Sequence, residues 1–399
     1  MAEPGTPRLL RAINDRAVLD LLLRHGPLTR PRLGELTRLS KPTMSQVLAR
    51  LEAQRLVRAS GSTSGRPGPN AALYEIDPSA AYVGGLDVTP RRIRAAVADV
   101  TGAVVATYEL PTPRRGSADT VQRVVTAVDG VCEAAGLERQ QLHHLVIGTP
   151  GAFDPGTGRL RYARHLPGWH DPELLPLLAA TLRIPVVVDN DVNLAAVGEL
   201  SLGVARGSDD FVLLWCDEGV GAAVVIDGRL HRGHRGGAGE VGFLPVPGAP
   251  LVRHVTVTNA GGFQELVGAK AVVALAKDHG IRSSTAVGAV TTAAKGDGHD
   301  GFLNELASRL AVGLAAVVSV LDPELVVLAG GILHAGGDQL LERITRELRD
   351  LTVSPPPVSL SAVADDPVLM GALHTALLAA RNSVFNTTDT SAGGRTAAD

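Results

Sequence analysis

Cysteine is nearly missing from this 399-residue chain, with Cys132 and Cys216 its only two. Two thiols cannot build a disulfide framework or, by themselves, a cysteine-rich zinc site, and a reducing cytoplasm fits such a chain best. The sequence also lacks any uninterrupted apolar run of the ~18–20 residues that a bilayer span needs. Its first residues, MAEPGTPRLLRAINDR, hold no apolar signal-peptide core. Nor does charge of one sign dominate, since 38 Lys and Arg face 41 Asp and Glu for a net of −3. With 45% hydrophobic and 20% charged residues, the composition is that of a globular protein of two or three domains.

What charge there is lies unevenly. Residues 1–72 carry 12 Lys and Arg against 5 Asp and Glu, a net of +7, and the remainder carries 26 against 36, a net of −10. A small basic module joined to a large acidic one points to a polyanion partner for the N-terminal module alone.

Residues 14–60 divide into three short helical patterns. Asn14 is placed to cap VLDLLLRH, with Gly26 ending it. Thr29 is placed to cap a second helix with Pro31 in its first turn, and Ser40 a third, KPTMSQVLARLEAQ. In the third, Met44, Val47, Leu48 and Leu51 recur at helical spacing and form one buried stripe, leaving Lys41, Thr43, Ser45, Gln46 and Arg50 on the other face. Two helices joined by a tight turn, followed by LVRASGSTSGRPGPNAALYEID as strand, tip and strand, spell a winged helix-turn-helix. Lys41 and Arg66, the latter at the wing tip, are the expected phosphate contacts, and Ser45, Gln46 and Arg50 the expected base-edge contacts. A helical bundle used for dimerisation is the competing account.

From residue 82 the rhythm changes. YVGGLDVT, RIRAAVADV and AVVATYEL read as strands, followed by a helix over 118–135 and the strand HHLVIGTPG. The order recurs in FVLLWCDEG, VGAAVVI, a turn at Asp227-Gly228 and a short strand, then the helix LNELASRLAVGLAAVVSVL and the strand ELVVLAGG. Two copies of one pattern imply a duplicated α/β architecture with a cleft between its lobes, where ligands gather at strand ends.

The motifs GTPGAFDPGTGRL (148–160), LPGW (166–169), VDNDVNLAAVGE (188–199), GVGAAVVIDGRLHRGHRGGAGEVGF (219–243) and LDPELVVLAGGI (321–332) resemble, in this order, those of the ROK family of sugar kinases and sugar-responsive repressors. The resemblance covers about residues 10–385 and implies an α/β fold: an N-terminal winged helix-turn-helix (1–76) before a duplicated, two-lobe actin/hexokinase-like domain (80–385). Its lobes fall at about 80–195 and 196–370, with a C-terminal helix packing back on the first and a disordered tail over 386–399. By the same resemblance Gly151, Asn190, Asp191, Glu240 and Glu265 are sugar-binding positions, Asp191 standing where the family's kinases keep a catalytic base. The winged helix matches the repressor branch.

The chain departs from the kinase pattern at three places. The hairpin expected as D-x-G-G-T reads Asp87-Val88-Thr89-Pro90-Arg91, losing bare glycine backbone and, at Pro90, an N–H. The hairpin expected as G-T-G-V-G reads Asp217-Glu218-Gly219-Val220-Gly221, which sets two carboxylates where a triphosphate would sit. The family's zinc-binding His is Phe243, and the cysteine cluster is replaced by VRHVTVTNAGGFQELVG, in which His254 alone cannot build a tetrahedral site. No zinc and no ATP are therefore expected, and Phe243, Val255, Val257 and Phe263 are expected to pack where the metal would stand. The expected function is a cytoplasmic, non-enzymatic regulator, a homodimer or homotetramer, that binds double-stranded operator DNA and a sugar or sugar derivative, with no membrane partner. A sugar kinase with an appended DNA-binding module, and a regulator with a vestigial pocket answering to a protein, are the alternatives.

Overall fold

The computed structural model describes residues 7–62, 71–112, 119–154, 159–161, 168–169, 171–251, 253, 261–363 and 365–386. Arg66, His254, Val255, Val257 and the tail beyond residue 386 lie outside them.

The N-terminal module has three helices, α1 (Pro7–His25), α2 (Arg30–Thr37) and α3 (Lys41–Ala53). A three-stranded antiparallel sheet of β1 (Leu28–Thr29), β2 (Val57–Ser62) and β3 (Ala72–Ile76) completes it, in the order β1-β3-β2. Local chemistry sets the helix ends. The Thr29 hydroxyl accepts from Arg32 N, the Ser40 hydroxyl accepts from Thr43 N, and Gly26 ends α1 at φ +73°. Met44, Val47, Leu48 and Leu51 are all buried, as their spacing requires. One expectation needs correction: α1 begins at Pro7, not at Asn14. Its first turns expose Leu9, Leu10 and Ile13, so no buried stripe betrays them, and Pro7 suits a first helical position.

The acidic module contains two five-stranded sheets and a two-stranded antiparallel ribbon of β8 (Ala152–Asp154) and β9 (Arg159–Arg161). The first runs in the order β10 (Val186–Asn190), β7 (Leu142–Thr149), β4 (Tyr82–Val88), β5 (Arg92–Asp99) and β6 (Val104–Pro111). The second runs β15 (Val358–Leu360), β14 (Leu325–Ala329), β11 (Phe211–Cys216), β12 (Val220–Ile226) and β13 (Arg229–Leu230). In both, the central strand pairs antiparallel with the next strand in the chain and parallel with a later one. This is the duplication expected from sequence, with β10 and β15 as members that the strand count had not included.

Helices α4 (Thr120–Ala135) and α5 (Leu174–Leu182) share the first lobe's core with the sheet. In the second lobe, α7 (Gln264–Val267), α8 (Ala269–Asp278), α9 (Ala286–Lys295), α10 (Asp300–Leu321) and α11 (Gly331–Leu351) bury its main core. The last helix after each sheet crosses over. Helix α6 (Asp191–Leu202) follows β10 but sets Val192, Ala195 and Ala196 against Phe211, Leu213, Ala223 and Val225 of the second sheet. Helix α12 (Pro367–Asn386) follows β15 but packs its apolar face on Val83, Ala96, Ala98 and Val146 of the first. The 195/196 lobe boundary therefore falls within one continuous helix.

Helices α10 and α12 are long and apolar enough to cross a membrane by length and composition, a feature missed when only uninterrupted apolar runs are sought. Half of each apolar window is buried against the protein's own core, as core helices require.

Candidate functional site

The ends of β4, β7 and β10 bring the first set of candidate residues together. Asp87 on β4 and Asp189 on β10 both stand opposite Gly148 of β7, and Asn190 stands opposite Thr149. Asn190 caps α6, its Oδ1 accepting from Asn193 N at 3.1 Å, while its Nδ2 donates to the Gly151 carbonyl at 3.2 Å. Asp191 is the first residue of the helix, and its Oδ1 accepts from Val192 N at 2.8 Å. Helix capping and carboxylate placement are thus one structure.

Glu240 comes from the second lobe. Its loop leans on β12 through the bond from Ala222 N to Gly239 O, 2.8 Å long. At φ +91°, a Cβ on Gly239 would strike the Ala222 carbonyl, so only glycine lets the loop lie this close. Burial lifts the Asp191 carboxyl to about 7, with the Val192 N–H opposing and the charges of Asp87 and Glu240 adding to the rise. Burial also raises Glu240, and raises Asp87 against the pull of Arg92 and Arg94. The Asp191 carboxyl thus feels the charge of Asp87 in its own lobe and of Glu240 in the other. Such a group accepts a hydrogen bond from a hydroxyl when ionised and donates one when protonated. Glu265, by contrast, is exposed and accepts from Gly261 N in its own loop at 3.2 Å.

Beside these acids lies an ion pair that sequence reasoning missed. Asp189 is buried, accepts from Asn190 N at 2.8 Å and Asn193 Nδ2 at 3.2 Å, and meets Arg232 Nη2 of the second lobe at 2.6 Å. Forty-three residues separate the partners, and no local pattern links them.

At the other end of the cleft, the two altered hairpins touch. The Thr89-Pro90-Arg91 turn is closed by Thr89 N and Oγ1, both donating to Arg92 O at 2.9 and 3.0 Å. Arg91 Nη2 then reaches Glu218 Oε1 in the β11–β12 turn at 2.9 Å. The two hairpins are bridged by side chains of opposite charge.

Of the apolar cluster expected in place of zinc, Val255 and Val257 lie outside the described residues, and only Phe243 and Phe263 are described. Phe263 is buried in the second lobe's core, its ring lying over Gly313, where a Cβ would collide with it. Phe243 instead lines a cavity of about 230 Å³ with Pro245, Val246, Pro247, Pro250 and Gly262. Among the described residues, no group of three or more His, Cys, Asp or Glu is arranged to hold a metal.

On the N-terminal module, Lys41 and Gln46 are exposed on α3. The Thr43 hydroxyl lies 2.8 Å from that of Ser40, and the Ser45 hydroxyl donates to Lys41 O at 3.0 Å. Arg30, at the start of α2, donates to the same Ser45 hydroxyl at 3.2 Å, which adds a cation that the sequence reading left out. Arg50 is held differently from its expected base-reading role. Its Nε donates to Asp15 Oδ2 at 2.8 Å and its Nη2 pairs with Oδ1 of the same buried carboxylate. Its guanidinium ties α3 to α1 inside the module.

A family model described as ROK family matches residues 83–379, which include both sheets and the strand-end motifs. The chain belongs to the ROK family. A second model, of the MarR family, matches residues 13–66, the winged-helix module that precedes this ROK domain. The chain is 30% identical over 283 residues to a glucokinase of Halalkalibacterium halodurans, covering 66% of this chain and 83% of that one. It is 22% identical over 346 residues to the DNA-binding transcriptional dual regulator NagC of Escherichia coli, covering 84% of both. The fold of a ROK family transcriptional regulator described as a homolog of the E. coli MLC protein superposes with a TM-score of 0.75 at 19% identity, over 95% of this chain and 98% of that one. Likeness to the kinase is confined to about two thirds of the chain, whereas likeness to the regulators extends across most of it.

Proposed function

We propose that this ROK protein is a sugar-responsive, DNA-binding transcriptional regulator that binds its effector in the cleft between the lobes without phosphorylating it. The observation that carries the reading is the contrast between the cleft's two ends. At one end Asn190, Asp191 and Glu240 supply groups of the kind that bond sugar hydroxyls. At the other, the Arg91–Glu218 pair bridges the hairpins between which the kinases of the family hold phosphates. Asp87, Asp191 and Glu240 also bias the ligand class. They repel sugar phosphates and sugar acids, leaving a neutral or amino sugar as the effector.

In this reading the winged helix binds an inverted-repeat operator as part of a homodimer or homotetramer. Lys41 and Arg66 contact phosphates, Arg30 joins them, and Ser45 and Gln46 face base edges. Effector and operator must then favour different states of the protein, by about 1–3 kcal/mol for a working switch. Repression relieved by the sugar is the expected sign.

Footprinting of the purified protein on its own upstream region tests the DNA half. Protection should weaken steeply with salt, and a salt-insensitive or absent footprint rejects the reading. Thermal-shift measurements with glucose, xylose, mannose, N-acetylglucosamine and glucosamine test the ligand half. A panel in which none raises Tm would favour a vestigial pocket answering to a protein.

A kinase is the second reading, favoured by the near-neutral titration of Asp191 and the likeness to a glucokinase. ATP-dependent phosphorylation of a panel sugar, lost in Asp191→Asn, would establish it.

A further inference from the structure

We propose that α12 is the member through which the ligand cleft and the DNA-reading module sense each other, coupled to the cleft at Gly371 and to the module at Phe385; this rests on the regulator reading. At the cleft end α12 lies on α6, the helix that Asn190 caps and Asp191 begins. The two cross backbone to backbone. A Cβ on Gly371 would overlap the Leu194 carbonyl of α6, and a Cβ on Gly198 would sit 3.1 Å from the Pro367 carbonyl of α12. Helices packed this closely cannot slide past one another without a clash, so they move as one.

The connection is reinforced where α6 ends. Glu199 is fully buried and accepts from the Ser361 hydroxyl at 2.7 Å and Val363 N at 2.8 Å, in the segment leading from β15 into α12. Any displacement of α6 by a bound ligand is therefore passed to α12 at both the crossing and the lead-in.

At its other end α12 enters the N-terminal module. Phe385 is buried within the same core as Val18, Leu22, Leu48 and Leu51. Arg16 of α1 lies 5.6 Å above the Phe385 ring and donates to Asn382 Oδ1 at 3.2 Å. Arg381 anchors the same stretch to the acidic module, donating to the Val100 and Thr101 carbonyls at 2.9 Å each, and Val100 itself is part of the module's core. Fourteen residues of helix, roughly 21 Å, separate Gly371 from Phe385. The module is thus keyed into the far end of a rigid element whose near end is fixed to the ligand-bearing helix.

Binding linkage is reciprocal, so the coupling is readable from the DNA side without knowing the effector. The experiment is hydrogen–deuterium exchange on the full chain, alone and with a duplex of its own upstream region. Bound DNA should slow exchange in α1–α3 and also change it, at least threefold, in α12 and in the first turn of α6, with α9 unaffected. In Asn382→Ala/Arg16→Ala, which spares the buried ring, DNA affinity should stay within about threefold while the response in α6 falls to under a third. Phe385→Ala should abolish that response, and its scanning calorimetry should separate the module's melting from that of the ROK domain. A footprint with no change in α6 overturns this coupling and leaves the regulator reading standing, as does a response unaltered in both variants. Failure to bind DNA at all overturns both.

Discussion

The two ends of the interlobe cleft are built differently, one at the junction of β10 with α6 and one at the equivalent β4–β5 and β11–β12 turns, and they hold charge in opposite ways. At the Asn190 end, carboxyl groups lie half-buried or buried, and backbone amides, Asn193 and Arg232 surround them. At the Arg91 end, an ion pair bridges the hairpins with side chains 83% and 71% exposed. The first arrangement commits the backbone and costs desolvation, so substitutions there move stability and ligand response together. The second sits in water, where an ion pair contributes little to stability. It changes what the cleft can accept more than how well the protein holds together.

Four substitutions sharpen this contrast, and burial sets their order. Glu199→Ala should have the largest effect, because it strands the Ser361 hydroxyl and the amides of Val363 and Val204 in the interior. A loss of about 3 kcal/mol or more in urea unfolding is expected, with Glu199→Gln losing less. A loss near zero would mean that this buried carboxylate is not what holds α6 to the lead-in of α12.

Asp191→Asn should act in the other direction. The folded chain keeps this proton up to about pH 7, whereas the unfolded chain releases it near the ordinary carboxyl value of 3.8. Between those values the folded state binds more protons, so stability falls as pH rises, and the full penalty is present above pH 7. Removing the charge should raise Tm by roughly 4 °C at pH 8, with no gain at pH 4. Equal shifts at both pH values would contradict the buried-acid description.

Arg232→Ala leaves Asp189 without its cation but with Asn193 and an amide still bonded to it. A loss of about 1 kcal/mol is expected, because Arg232 is itself half exposed. The smallest effect belongs to Arg91→Ala, under about 0.5 kcal/mol in the same unfolding assay. Should Arg91→Ala prove costlier than Arg232→Ala, the contrast between the two ends fails.

Much of this was legible from residue order, for physical reasons that differ by level. The caps at Thr29 and Ser40, the stop at Gly26 and the α3 stripe are local chemistry, decided within a few residues. The duplicated strands were legible because alternation and turns recur in the same order. Pairing across the chain was not. Arg50 was expected at base edges, but Asp15, thirty-five residues away, takes its guanidinium. Asp189 and Arg232 meet only after the lobes pack. Nor does an amphipathic pattern say which sheet a helix will cover: the return of the C-terminal helix to the first lobe followed from the family resemblance, and the crossing of α6 had no sequence signature. Nor does residue order show that Phe263 lies over Gly313, where a Cβ would collide with its ring.

That exchange of helices also has a consequence in time. The face of the first sheet that α12 covers stays bare until residues 367–386 have been made, although its own strands are complete at Asn190. At translation speeds of about 5–20 residues per second, the delay is on the order of 10–40 s. Phe385 arrives last of all, so the N-terminal module, synthesised first, waits longest for the final side chain of its core. The nascent chain thus carries two unfinished apolar surfaces past the ribosome, and a stall within its last fifty residues would release a protein whose oldest parts are the least protected.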